Sequence, residues 1–194
     1  RKPAPTPVPP RAQSNDPLGD LAAARAGTTP PAATVDPFTY VAVPNPVWVD
    51  DSFTAESCDG HIWGYDAFTT IQAGVNAVTE GGTVHVLAGT YSENVALDKP
   101  LTLAGSVDDK PLLVGMITGT YTDGLPTSIE NIDFKVNADD KYNLHLVGVT
   151  NLTVKGCAFN ADGRFMTSPR VVAVQLDTQK TCKDITIDGC TFTN

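Results

Sequence analysis

The chain has 194 residues, 41% of them hydrophobic, enough for one domain with a core plus an extension. Its net charge of −9 argues against a nucleic-acid or anionic-membrane binder. No apolar run approaches the roughly 18 residues of a membrane-spanning helix, and the start at Arg1, without a signal-peptide pattern, is that of a processed chain or a piece of a longer one.

Composition divides the chain near residue 46. Eleven of the 15 prolines lie in residues 1–46. The opening run RKPAPTPVPP is expected to be extended polyproline II. Up to Asp36 the segment is mostly Ala, Pro, Thr and Gly, with no aromatic residue, and cannot bury a core of its own. One short helix is expected at 17–26, with Asp16 as cap, Pro17 at the first helical position and Gly27 as stop. Residues 1–46 are thus a Pro/Ala-rich extended tail or linker, able to dock on a neighbouring subunit.

From residue 47 the chain is rich in Val, Thr, Ile, Leu and Gly, which is β-composition. One helix is predicted at about 67–79, capped by Asp66 and stopped by Gly81 and Gly82. Phe68, Ile71, Val75 and Val78 fall on one face of it, a stripe that packs against a core. Strands are predicted at 83–87, 101–105, 111–115, 128–136, 143–148, 151–159, 170–176 and 184–192.

Three of these segments align with one another. Ile129-Glu-Asn-Ile132-Asp-Phe134 matches Val154-Lys-Gly-Cys157-Ala-Phe159, which matches Ile187-Asp-Gly-Cys190-Thr-Phe192, at intervals of 25 and 33 residues. A self-similar β segment at that period predicts a solenoid of parallel sheets. Ile132, Cys157 and Cys190 would stack in one interior column, and Phe134, Phe159 and Phe192 in another. Cys157 and Cys190 then stand either as a disulfide pair or as a reduced apolar ladder.

The chain resembles a known fold family through WVDD (48–51), WGYDAFTTIQAGVNAV (63–78), GGTVHVLAGTYSENV (81–95) and KPLTLAGS (99–106). These segments look like the N-terminal capping region of right-handed parallel β-helix proteins of the pectin-lyase-like fold. The resemblance covers residues 47–194. It implies an all-β fold, a right-handed parallel β-helix with one N-terminal capping α-helix, preceded by the extended Pro-rich tail.

Enzymes of that fold carry motifs that this chain lacks in complete form. Hydrolases of the polygalacturonase type use clustered Asp with G-H-G and R-x-K motifs, whereas His61, His85 and His145 are scattered and none lies in G-H-G. Asp50-Asp51, Asp108-Asp109 and Asp139-Asp140 are sequence neighbours, which point to opposite faces of a strand and so do not flank one sugar. Lyases of the fold use Ca²⁺ with an arginine base, and only Arg164 and Arg170 remain after the tail. No catalytic residue and no cofactor are assigned. Asp50 and Asp51 are the weak candidates for a Ca²⁺ site. Asn151-Leu152-Thr153 is a glycosylation sequon. Thr153, Thr186, Thr191 and Thr193 reflect β-propensity rather than an ice-binding array.

The functional expectation comes from the ends of the solenoid. A capping helix covers the first coil, and the sequence stops at Asn194 just after CTF with no visible cap, an open end that a stacked subunit, a neighbour's tail strand or the continuation of a longer β-helix would fill. The leading expectation is an extracellular or cell-surface structural protein that self-assembles as a homo-oligomer or polymer, in a filament or surface array. Phe38, Tyr40, Val41 and Val43 are the candidate strand for pairing with a neighbour. The alternative is a saccharide-binding, adhesive module of a larger surface protein, with Trp63, Tyr65, Tyr91 and Tyr121 as stacking candidates unless they pack the cap. A polysaccharide lyase or hydrolase fragment is the third reading.

Overall fold

A computed structural model of the chain describes residues 42–120, 124–137, 142–163, 172–177 and 181–194. The expected helix at 17–26 and residues Phe38, Tyr40, Val41, Tyr121, Arg164 and Arg170 lie outside the described residues. Val43 is described and is half-exposed.

The fold is all-β with one helix among the described residues. The chain opens with β1 (Val47–Val49), β2 (Ala67–Phe68) and α1 (Ile71–Ala77). A first repeat follows as β3 (Thr83–Val86), β4 (Thr90–Tyr91) and β5 (Val95–Leu97), and a second as β6 (Thr102–Gly105), β7 (Leu112–Val114) and β8 (Ile117–Thr120). The third holds β9 (Thr127–Glu130), β10 (Asp133–Lys135) and β11 (Tyr142–Val147). The fourth holds β12 (Thr150–Lys155), β13 (Ala158–Asn160) and β14 (Val172–Asp177), and the last contributes β15 (Lys183–Asp188) and β16 (Thr191–Thr193). Successive strands visit three sheets in rotation. The sheets run β15-β12-β9-β6-β3-β1-β2, β16-β13-β10-β7-β4 and β14-β11-β8-β5. Every strand pairing in them is parallel.

Alternation along each strand decides which side is core. In the seven-stranded sheet Val84, Leu103, Ile129 and Val154 pair in register and are fully buried. Their neighbours Thr83, Thr102, Ser128, Thr153 and Thr186 form a hydroxyl column on the opposite side. In the five-stranded sheet Phe134 and Phe159 stack with centroids 4.9 Å apart, and Phe159 and Phe192 at 5.2 Å. The register is the one that the three aligned segments predict: Ile129 opposite Val154 opposite Ile187, and Phe134 opposite Phe159 opposite Phe192.

The third position of that motif has a backbone reason. Asn131, Gly156 and Gly189 have φ of 54°, 62° and 59°. The left-handed region favours Gly and Asn. It turns the chain from the seven-stranded to the five-stranded sheet. The predicted continuous strands 128–136, 151–159 and 184–192 are therefore each two strands with a corner between them.

The helix is shorter than predicted and starts elsewhere. Thr70 is its N-cap, its hydroxyl accepting from the Ala73 N–H, while Ala67 and Phe68 pair as a strand instead. The carboxylate of Glu93 completes the cap from a distant strand end, accepting from the Ile71 N–H at 2.7 Å and the Gln72 N–H at 2.9 Å. Asp66, the expected cap, accepts from the Ile62 N–H at 2.6 Å. Gln72 also covers a sheet edge: it accepts from the Ala96 N–H and donates to the Ala96 carbonyl. Ile71, Val75 and Val78 of the predicted stripe are fully buried, and Phe68 packs partly against them.

Glu93→Ala strands two helix-start amides and removes a charge-assisted pair of hydrogen bonds. It is expected to lower stability by about 2 kcal/mol, read as a lower urea midpoint. Glu93→Gln keeps one oxygen and loses less; equal midpoints for wild type and Glu93→Ala would refute the long-range cap.

Candidate functional site

Two features of the surface stand apart from the repeat: a cleft beside β1 and the outer face of the last repeat.

The cleft begins with the outward residues of the seven-stranded sheet. Trp48 on β1 pairs in register with His85 on β3, so the two rings lie side by side and stack at 4.4 Å. The loop after β1 brings His61 to the other side of the indole, at 4.8 Å. Trp48 is thus held between two imidazoles. Burial lowers the His85 pKa from its usual value. The loop is fastened twice. Asp66 Oδ1 takes the Ile62 N–H, with Oδ2 3.7 Å from His61 Nδ1, and the Tyr65 hydroxyl donates to the Ala42 carbonyl at 2.7 Å. Asn45 Oδ1 accepts from the Thr83 N–H at 3.0 Å. Residues 42–46 form one wall of the cleft, and Trp48, His61, Tyr65 and Asp66 form the other, around a volume of about 380 Å³.

No family model, curated protein or solved structure matches the chain.

The stacking candidates separate in the structure. Tyr65 lines the cleft. Trp63 is exposed rather than packed into the cap, at 42% of its surface. Tyr91 is buried, its hydroxyl donating to the Leu87 carbonyl at 3.0 Å. Burial pushes its pKa up, and the charges of Asp50 and Asp51 add to the shift.

Asp50 and Asp51 shape the chain around β1. Asp50 Oδ1 accepts from the Ser52 N–H at 2.8 Å and the Ser52 hydroxyl at 2.6 Å, closing a turn. Asp51 Oδ2 accepts from the Thr90 N–H at 3.0 Å. Its carboxyl lies where a Cβ on Gly89 would fall, 2.8 Å away, which explains Gly in LAGTY opposite WVDD. Among the described residues no group of three or more His, Cys, Asp or Glu side chains is placed to share a metal ion.

Cys157 and Cys190 occupy equivalent positions in adjacent repeats, as their flanking strands pair in register, and both are free thiols. Cys157 is buried, which pushes its thiol pKa up to about 12. Asn151 is exposed at a corner, with φ of 54° and its side-chain amide donating to the Gly124 carbonyl.

The second feature is the face of β14, β15 and β16. Each pairs on one side only among the described residues. Ile187 and Phe192 stand in columns whose earlier members are fully buried, yet are 45% and 52% exposed. Lys183, Asp184 and Asp188 add charge along the same edge. At the other end of the stack, α1 packs on β1, β3 and β5, and the first apolar side chains are covered.

The sequence held no signal for the Trp48 cleft. His61 and Trp48 are 13 residues apart and His85 lies 37 beyond Trp48, so only strand register and the loop fastenings bring them together.

Proposed function

We propose that this chain forms a right-handed parallel β-helix of the pectin-lyase-like kind and serves as an extracellular structural subunit that assembles with copies of itself. The observation that carries the reading is how the apolar columns end among the described residues. At one end α1 covers them, whereas at the other Ile187 and Phe192 stand exposed in columns whose earlier members are buried, a face that a further β layer, from another copy or from a continuation of the chain, would cover. Exposed apolar columns with unpaired strand edges are a template for another β layer. A second copy offers the same columns at the same spacing. Association through this face alone closes as a two-fold pair, because the opposite end is covered. Growth into a filament or array then needs a second contact, for which residues 1–46 are the proposed source.

Sedimentation of the full chain over a range of concentrations tests this. The wild type is expected to associate, and Phe192→Asp and Ile187→Asp to remain folded but monomeric, with melting temperatures lower by no more than about 5 °C. A monomeric wild type, or equal association of both variants, would overturn the proposal.

A further inference from the structure

We propose that the cleft beside Trp48 binds one pyranose ring of a neutral saccharide. This inference is independent of self-assembly, since it concerns the opposite end of the stack.

The volume of about 380 Å³ lies at the small end of the range for ligand clefts, suited to one ring rather than a chain. The lining has the mixed polarity that a polyol needs. Asp66 spends Oδ1 on the Ile62 N–H, which leaves Oδ2 to accept from a ligand hydroxyl, as His61 at 3.7 Å is beyond hydrogen-bond reach. Asn45 spends its oxygen on the Thr83 N–H, which leaves its amide nitrogen to donate. The Tyr65 hydroxyl donates to Ala42 and keeps lone pairs to accept. A carboxylate and a carboxamide together suit neighbouring hydroxyls, one donating and one accepting.

Apolar surface completes the fit. The Tyr65 ring and the rings of Pro44 and Pro46 offer contacts to the C–H faces of a sugar. Both faces of Trp48 are already occupied by His61 and His85, so the indole is a rigid wall rather than a stacking platform. A wall held in advance lowers the ordering cost of binding.

The charge of the site chooses among sugars. Among the described residues that line the cleft there is Asp66 but no Lys or Arg. A uronate or a phosphorylated sugar would bring its anion beside a carboxylate with no cation to offset it. The ligand class is therefore neutral, in contrast to polyuronates.

Saturation-transfer NMR on the full chain at neutral pH tests the assignment. The probes are the methyl pyranosides of glucose, galactose and mannose, with methyl galacturonide as the acidic counterpart. Transfer to at least one neutral glycoside and none to the uronide is expected. Asp66→Asn keeps an oxygen for the Ile62 amide, and Asn45→Asp keeps one for Thr83. Each is expected to weaken binding about tenfold while retaining the wild-type melting temperature. No transfer to any neutral glycoside, equal transfer to the uronide, or undiminished affinity in both variants would overturn the proposal. Phe192→Asp, which tests assembly, is expected to leave the transfer unchanged.

Discussion

Gly74→Ala is expected to destabilise the protein, although the same change at an open helical position stabilises by about 1 kcal/mol. A Cβ at Gly74 would lie 2.7 Å from Val49 Cγ2, 3.1 Å from Val84 Cγ1 and 3.3 Å from Val47 Cγ1. These three valines are fully buried, and β-branched side chains are stiff, so they have no easy way to give. Overpacking of a close-packed site costs about 1–3 kcal/mol, which outweighs the gain in propensity. The net loss for alanine is about 1 kcal/mol, or about 3 °C in melting temperature for a unit of this size. Gly74→Leu carries the full side chain into the same space and is expected to detach α1 from the sheets, with a fall of about 10 °C or more. A rise in melting temperature for Gly74→Ala, read by circular dichroism, would show that the helix stands off further than this packing requires.

The second large effect belongs to the phenylalanine column. Phe159 is fully buried between Phe134 and Phe192, whereas Phe192 is half-exposed in the same column. Truncating a buried Phe to Ala loses its transfer energy and leaves a cavity, about 3–5 kcal/mol together. Phe159→Ala is therefore expected to cost about 4 kcal/mol, a large part of the stability of a typical domain. Phe192→Ala opens no enclosed cavity and is expected to cost under about 1.5 kcal/mol. Urea unfolding of the two variants measures the difference. Equal losses would mean that the last repeat is covered in solution, and under dissociating conditions would contradict the exposed face itself.

Several features were legible in the sequence because they repeat. Three aligned segments placed Ile129, Val154 and Ile187 in one column and the three phenylalanines in another, and the observed register agrees. The apolar stripe Ile71, Val75 and Val78 marked the helix face that is buried. What repeats in a sequence reports a constraint met at every level of the stack, here the period-two alternation and the left-handed corner at Asn131, Gly156 and Gly189.

Features outside the aligned segments were less legible. β1, β2, β4, β5 and β8 were not among the predicted strands, since each is short and lacks an apolar run of its own long enough to register as a pattern. The helix start was misplaced because Asp66 and Thr70 are both good caps, and the choice was made by Glu93, 22 residues beyond Ile71, and by the pairing of Ala67 with β1.

By itself, then, the sequence determined the β composition, the spacing of the repeats, the residues of the interior columns and the apolar face of the helix. Each follows from local chemistry: β-branched propensity, alternation, and the few residues that accept a positive φ. Only the tertiary structure decided the helix cap, the role of Asp51 beneath Thr90 and the Trp48 cleft. Each of these joins side chains far apart in the chain, which the parallel register of the strands and the loops between them bring within bonding distance.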